Sequence, residues 1–305
     1  MNTHAAAADL VGKRILVAGG WGFIGRHLCS KLTKLGAKVV AVSRSVQPHE
    51  EPQVSWRSGD MKDFRLVQSL FAETSPEIVY QLCGRVDASR DLSLVVPTLE
   101  NDILTTVNLL LAAAAKPVQR FIMTASLEEP EPGEPPTSPY SVAKMSSNAY
   151  ARMFGLLYKV PIVILRPYMS YGPGQAEKKV IPYMVRSLLN GDSPRLGSGN
   201  RPVDWIYISD VIDGFIAAAT ASGVEGLTFD LGSGKLATIR EVGFKLVQLL
   251  KSPVEPAFGA LQERPLERVR VADTATAMSK LGWQATTSLE AGLLQTIDWW
   301  RRQVG

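Results

Sequence analysis

Short apolar, β-prone runs alternate along this chain with longer stretches whose apolar residues recur at helical spacing. Residues 15–18 form the first such run. The stretch GGWGFIG, from Gly19 to Gly25, follows, and residues 23–35 are then amphipathic, so the order reads strand, glycine turn, helix. Further strands are predicted at 37–42, 54–56 and 77–82, with a helix at 64–72 between the last two. A long helix over 97–115 leads to a strand at 120–124. Residues 127–139 are rich in Pro and Glu and predict a loop. Beyond them a helix is expected over 140–158 and a buried strand over 162–165, and Arg166 opens an irregular stretch that ends at Gly174.

This alternation predicts an α/β fold, a Rossmann-type doubly wound parallel sheet that presents its ligand at the strand C-termini. Glycines at 19, 22 and 25 let the backbone turn sharply and approach a pyrophosphate, whose charge suits the N–H groups at a helix start. After residue 167 the texture changes to a helix at 180–189, a turn-rich stretch at 191–202, a strand near 205–208 and a helix at 210–221. We therefore expect a dinucleotide-binding domain over 1–166, with 204–225 returning to it. A smaller C-terminal α/β lobe for the substrate would comprise 167–203 and 226–305. Leu246, Leu249, Leu250, Trp299 and Trp300 read as core.

With 305 residues, 46% hydrophobic and 20% charged, the composition is that of a globular protein and excludes disorder. The 33 basic and 29 acidic residues are dispersed without a long basic run, so no nucleic-acid partner is expected. Cys29 and Cys83 sit in apolar surroundings and read as buried thiols of a reducing compartment. His4, His27 and His49 lack ligand spacing, and no metal is expected. The first twelve residues resemble no signal peptide and no apolar run looks long enough to cross a bilayer, so a cytoplasmic location without a membrane partner is the default expectation.

Tyr140 and Lys144 stand four residues apart at a predicted helix start, which places phenol and ammonium on one face. A cation there favours phenolate and is expected to lower the phenol's pKa toward neutrality for acid–base work. Ser126 lies just past a strand end, where its hydroxyl could hold a reacting oxygen. Tyr-x-x-x-Lys pairs also arise by chance. The ordered set of glycine turn, serine and Tyr/Lys helix is what favours chemistry.

In this ordered set the chain resembles the extended short-chain dehydrogenase/reductase family, which includes sugar-nucleotide epimerases and dehydratases. The motifs are GGWGFIG, Gly59-Asp60, Ser126 with YSVAK ending at Lys144, LRPYMSYGPGQ over 165–175, WIYISD over 205–210, ERPLERVRVAD over 263–273 and LGW over 281–283. The resemblance implies a nicotinamide cofactor and hydride transfer, with Tyr140 exchanging the proton, Lys144 on the nicotinamide ribose and Ser126 on the reacting oxygen. It further implies cofactor contacts at Gly19, Gly22, Phe23, Ile24, Gly25, Ser43, Arg44, Asp60, Met61, Leu82, Cys83 and Gly84, besides Tyr140 and Lys144. Substrate contacts are expected at Glu128, Tyr168, Arg201, Arg264 and Arg268, with surface salt bridges as the plain alternative for the arginines.

Departures from the family pattern sharpen the expectation. Ser43-Arg44 stands where NAD-dependent relatives carry an acid, which points to NADP, with NAD as the alternative if Arg44 is solvated or stacks on adenine. Arg26 is a second candidate for the same phosphate. Glu128 matches a dehydratase glutamate but Leu127 replaces its aspartate partner, so dehydration is disfavoured. Glu128, Glu129, Glu131 and Glu134 together read as a solvated loop face. Asp102 falls where the family has an asparagine, with Asn101 one residue earlier, and which of them faces the site stays open. The function these features imply is NADPH-dependent reduction of a 4-keto nucleotide sugar. The alternatives are a nucleotide-sugar epimerase and a non-catalytic dinucleotide sensor. A homodimer is expected through the long helix, with apolar Leu109, Leu110 and Leu111, and the Tyr140 helix.

Overall fold

The computed structural model describes residues 9–45, 52–262 and 266–304. In chain order the strands are β1 (Arg14–Ala18), β2 (Lys38–Ser43), β3 (Ser55–Ser58), β4 (Ile78–Gln81), β5 (Arg120–Thr124), β6 (Ile162–Pro167), β7 (Met169–Tyr171), β8 (Pro202–Tyr207), β9 (Thr228–Leu231) and β10 (Leu236–Thr238). Two compact units result, the first comprising Met1–Pro167, Ile212–Asp230 and Thr276–Trp283. The second comprises Tyr168–Val211, Leu231–Ala275 and Gln284–Gly305.

The first unit is built on a seven-stranded sheet of order β3-β2-β1-β4-β5-β6-β9. Neighbours from β3 through β6 pair in parallel. Such strands are covered on both faces and carry near-continuous apolar sequence, as Ile15-Leu16-Val17-Ala18 and the fully buried Ile78-Val79-Tyr80-Gln81 do. The order reverses between β1 and β4, and the strand ends there open a crevice.

Helices α1 (Phe23–Lys34), α2 (Phe64–Thr74), α3 (Leu92–Ala115) and α4 (Pro139–Tyr158) connect these strands. Leu70, Phe71, Leu109, Leu110, Ala151 and Phe154 from the helices pack on Leu16, Val79, Phe121 and Ile164 from the sheet. Asp63 caps α2 by accepting the N–H groups of Arg65 and Leu66, and Ser138 caps α4 by accepting that of Ser141. Pro139, expected in the loop, is instead the first residue of α4, where its missing N–H has no intrahelical partner to lose.

α3 differs from the expected uniform helix over 97–115. It begins with a 3-10 turn at Leu92–Leu94 and an α-turn at Val95–Thr98, widens to a π-helix at Leu99–Leu104 and resumes as α-helix at Thr105–Ala115. Side chains take up carbonyls along the widened stretch. Asn101 Nδ2 donates to Pro97 O at 2.5 Å, Thr105 Oγ1 to Asn101 O and Thr106 Oγ1 to Asp102 O, both at 2.6 Å. Contrary to the sequence expectation, α3 is long and apolar enough to cross a membrane by length and composition alone, with a mean hydropathy of 1.2. Its buried Asp102, Thr105, Thr106 and Asn108 mark it as a core helix. Leu111, grouped with the apolar stripe, is exposed, whereas Leu109 and Leu110 are buried.

The second unit contains a three-stranded sheet of order β10-β8-β7, in which β7 and β8 are parallel and β8 and β10 antiparallel. The irregular stretch expected after Arg166 therefore includes a strand, β7, too short to show periodicity. Buried Asp204 on β8 organises the unit by accepting the N–H groups of Ser233, Gly234 and Ala272.

Candidate active site

The glycine turn joins β1 to α1 as expected. Gly19 has φ +85, and a Cβ there would lie 2.8 Å from the backbone carbon of Leu82. A Cβ at Gly25 would lie 2.3 Å from Gly19 O, so turn and helix approach more closely than any side chain permits. Gly22 is the N-cap of α1 and supplies no side-chain hydrogen bond, and no acidic residue occupies the first turn. The first N–H groups of α1, at half-buried Phe23 and Ile24, are therefore left for an anion, and the cradle fits a pyrophosphate.

At the end of β2, the Ser43 hydroxyl accepts the N–H of Trp21 at 2.9 Å. Arg44 is exposed and donates to Asn101 Oδ1 at 3.0 Å. Arg26 lies over the Trp21 ring, 5.4 Å from its centroid, and Trp21 meets Trp56 edge to face. Asp60 closes a turn by accepting the N–H of Lys62, and Gly59 N–H bonds Ser43 O. The Met61 side chain belongs to the core, and its carbonyl accepts the Asn108 amide at 2.9 Å. At the end of β4, Gln81 Oε1 accepts the N–H of Cys83 at 2.6 Å while its amide donates to Thr106 on α3. Half-buried Cys83 has its thiol pushed up to about 12 by burial, so it stays neutral.

Ser126, Tyr140 and Lys144 meet above β5, and all are buried. The Ser126 hydroxyl accepts the N–H of Glu128 at 3.2 Å and favours the ionised form of the Tyr140 phenol. Lys144 Nζ lies 5.9 Å from the Tyr140 ring centroid, 3.3 Å from Thr124 O and 3.4 Å from Asp102 Oδ1. The π-turn thus settles the question over 101 and 102: Asn101 turns to Arg44 and Asp102 to Lys144.

Electrostatically the trio departs from the expected lowered phenol pKa. Burial raises the Tyr140 pKa above its ordinary value; Lys144 and Ser126 oppose this, whereas Asp102 and Glu129 reinforce it. For Lys144, burial works against the ammonium, but the phenol and the two carboxylates outweigh it and the net direction is upward. Burial likewise raises Asp102, against the pull of Lys144.

Glu131 and Glu134 are exposed, as a solvated loop face requires, but Glu129 departs from that reading. It is 6% exposed, its Oε1 accepts the N–H of Ser126 at 2.6 Å and its Oε2 accepts from Asn148 Nδ2 at 2.5 Å. Asn148 was overlooked in the sequence, although it stands one helical repeat beyond Lys144 on the same face of α4. Glu128 is half-buried, and its carbonyl accepts the Ser141 hydroxyl.

The remaining expected substrate residues belong to the second unit. Tyr168 is buried and donates its hydroxyl to Val271 O at 3.2 Å. Arg201 pairs with Glu267 at 2.9 Å, and Arg268 is half-buried. Arg264 lies outside the described residues. Among the described residues no cluster of His, Cys, Asp and Glu could hold a metal.

A Rossmann-type sheet with a glycine cradle at β1 and a Ser-Tyr-Lys trio at β5 defines an enzyme of the extended short-chain dehydrogenase/reductase class. Residues 15–232 match the NAD dependent epimerase/dehydratase family, and the chain belongs to that family. It is 27% identical over 312 residues to a UDP-glucose 4-epimerase of Mycolicibacterium smegmatis, covering 95% of this chain and 99% of that one. The structure of UDP-glucose 4-epimerase from Thermotoga maritima with UDP-glucose is similar at a TM-score of 0.88 and 25% identity, covering 95% of this chain and 99% of that one. UDP-glucuronic acid 4-epimerase from Bacillus cereus, in complex with UDP-glucuronic acid and NAD, is similar at a TM-score of 0.85 and 25% identity, with the same two coverages.

Proposed function

We propose that the chain is a nucleotide-sugar epimerase that inverts a carbinol centre through a transient ketone. The observation that carries the reading is the buried Ser126–Tyr140–Lys144 trio with leucine, not an acid, at position 127. Such a site is equipped to exchange a proton at a sugar oxygen and not to eliminate water. Tyr140 takes the proton from the hydroxyl and returns it to the ketone oxygen, Ser126 Oγ holds that oxygen, and Lys144 supplies the balancing charge. When bound, the nicotinamide ring supplies a reversible hydride acceptor. Gly19, Gly22, Gly25 and the start of α1 hold its pyrophosphate, Asp60 and the backbone of Met61 its adenosine end, and Leu82, Cys83 and Gly84 its nicotinamide end. The first unit is thus the dinucleotide-binding domain. The second binds the nucleotide sugar, with Arg201, Arg268 and Arg264 as candidates for its diphosphate.

A second reading, net reduction of a keto sugar with NADPH, rests on Arg44, whose guanidinium is exposed at the end of β2 and keeps donors beyond the one given to Asn101. Incubation with UDP-glucose separates the two. The epimerase reading expects appearance of the C4 epimer by NMR with no net change in nicotinamide absorbance. Steady NADPH consumption with a keto sugar and no isomerisation would overturn it. A homodimer through α3 and α4 is part of the proposal, supported by exposed Leu104, Leu111, Val142, Met145, Met153 and Leu156 on these helices. So is a cytoplasmic location, supported by Cys29 and Cys83 forming no disulfide.

A further inference from the structure

The acid–base chemistry above needs one cation beside Tyr140, yet the structure places a buried anion against that cation. Asp102 is 1% exposed, its Oδ2 accepts the N–H of Arg85 at 3.0 Å, and its Oδ1 lies 3.4 Å from Lys144 Nζ. Oδ1 is sealed from water and makes no hydrogen bond of good geometry, so it meets the ammonium as charge alone. Gly84 closes over the pair: a Cβ there would come 2.5 Å from Asp102 Oδ1 and 3.3 Å from Lys144 Nζ. A buried charge pair is costly to hold and persists where its geometry is enforced. Here the π-turn of α3, tied to β4 through Gln81 and Thr106, enforces it.

The groups facing Tyr140 come from several elements. Lys144 stands on its own helix, Ser126 and Glu129 on the loop after β5, and Asp102 on α3. Cys83, after β4, is neutral, as its thiol is pushed up to about 12. One cation therefore confronts two carboxylates. An unopposed ammonium would stabilise a phenolate, whereas this one is offset.

Resting on the proton-exchange reading of Tyr140, we propose that Asp102 is a positioning residue: its carboxylate anchors the Lys144 ammonium and offsets part of its charge, so that Lys144 stabilises the Tyr140 phenolate less than an unopposed ammonium would. The anchoring is local to the first unit and needs no ligand. Lys144 reaches Asp102 and both oxygens of Thr124 at 3.3 to 3.4 Å, so its donors are already directed within the protein before any ribose hydroxyl competes for them.

Tyrosinate absorbance reads the proposal directly. Wild type, Tyr140→Phe, Asp102→Asn and the double variant are titrated toward high pH. The Tyr140 component is obtained as the difference between each protein that keeps the tyrosine and its counterpart carrying Tyr140→Phe. With asparagine at 102 that component is expected to move to lower pH by about one unit. The limb of kcat/KM that reports Tyr140 is expected to move with it. A structural role alone would lower kcat at every pH and leave the titration where it was, and an unmoved Tyr140 component overturns the proposal. Should Asp102→Asn not fold, Gly84→Ala serves instead, because its Cβ displaces the carboxylate from the ammonium; the same downward shift is expected, and its absence is equally decisive. Absence of epimerisation in wild type would overturn the functional reading while leaving the titration interpretable.

Discussion

Replacing Glu129 with alanine removes the acceptor that joins the catalytic loop to α4. The Ser126 N–H and the Asn148 amide both end on this carboxylate, at 2.6 and 2.5 Å, in a region where Glu129 is 6% exposed. Each buried donor left unpaired costs about 1–3 kcal/mol, and partial entry of water sets the combined loss at about 3 kcal/mol. For units of this size a loss of that order lowers Tm by about 6–12 °C. One of the donors is the backbone of Ser126, so kcat should fall more than KM rises. Glu129→Gln is the control. Its carbonyl still accepts from Ser126, and its amide can meet Asn148 Oδ1, which has no hydrogen-bond partner at present, once the Asn148 amide turns over. The expected loss is then below about 1 kcal/mol. Thermal unfolding by circular dichroism and steady-state kinetics on both variants check these values. If Glu129→Ala melts with wild type and retains kcat, or if glutamine is as damaging as alanine, the clasp between loop and helix is refuted.

Gly25→Ala should weaken cofactor binding by at least about 10-fold and lower Tm, because the added Cβ meets Gly19 O at 2.3 Å and Gly20 O at 2.7 Å, backbone atoms that cannot turn aside. Calorimetric titration with NAD and NADP checks this, and unaltered affinity for both removes the glycine cradle from the site. Tyr140→Phe should lower kcat/KM by about 100–10,000-fold while cofactor affinity stays near wild type, since only the proton carrier is lost. Turnover near wild type in this variant would remove Tyr140 from the acid–base role.

The sheet and the residues at its strand ends were legible because parallel strands here are continuously apolar and the intervening helices keep one buried face. The glycine turn and the Tyr140–Lys144 pair were legible for the same reason: their geometry is local. What was missed depends on non-local packing. Helical periodicity assumes a constant turn, so it could not assign Asn101 and Asp102 to their separate partners across a π-helix. Glu129 looked solvated because its neighbours in sequence are acidic and its acceptor role is defined by Asn148, nineteen positions away on another element. The phenol pKa was expected in the wrong direction because only the adjacent cation could be seen. The desolvation and the two carboxylates that outweigh it arise from burial and tertiary contact.

The widened turn of α3 also bears on how such a site can arise. It holds more residues than an α-turn over the same length, so one inserted residue in an ordinary helix is enough to create it. Excision of a single residue would close the turn to a regular α-helix, shifting the residues within it while the flanking segments keep their register. Asn101 and Asp102 would leave their partners together. A one-residue insertion or deletion at this point is therefore a coordinated double change, acting on the end of β2 and on the catalytic lysine in one genetic event.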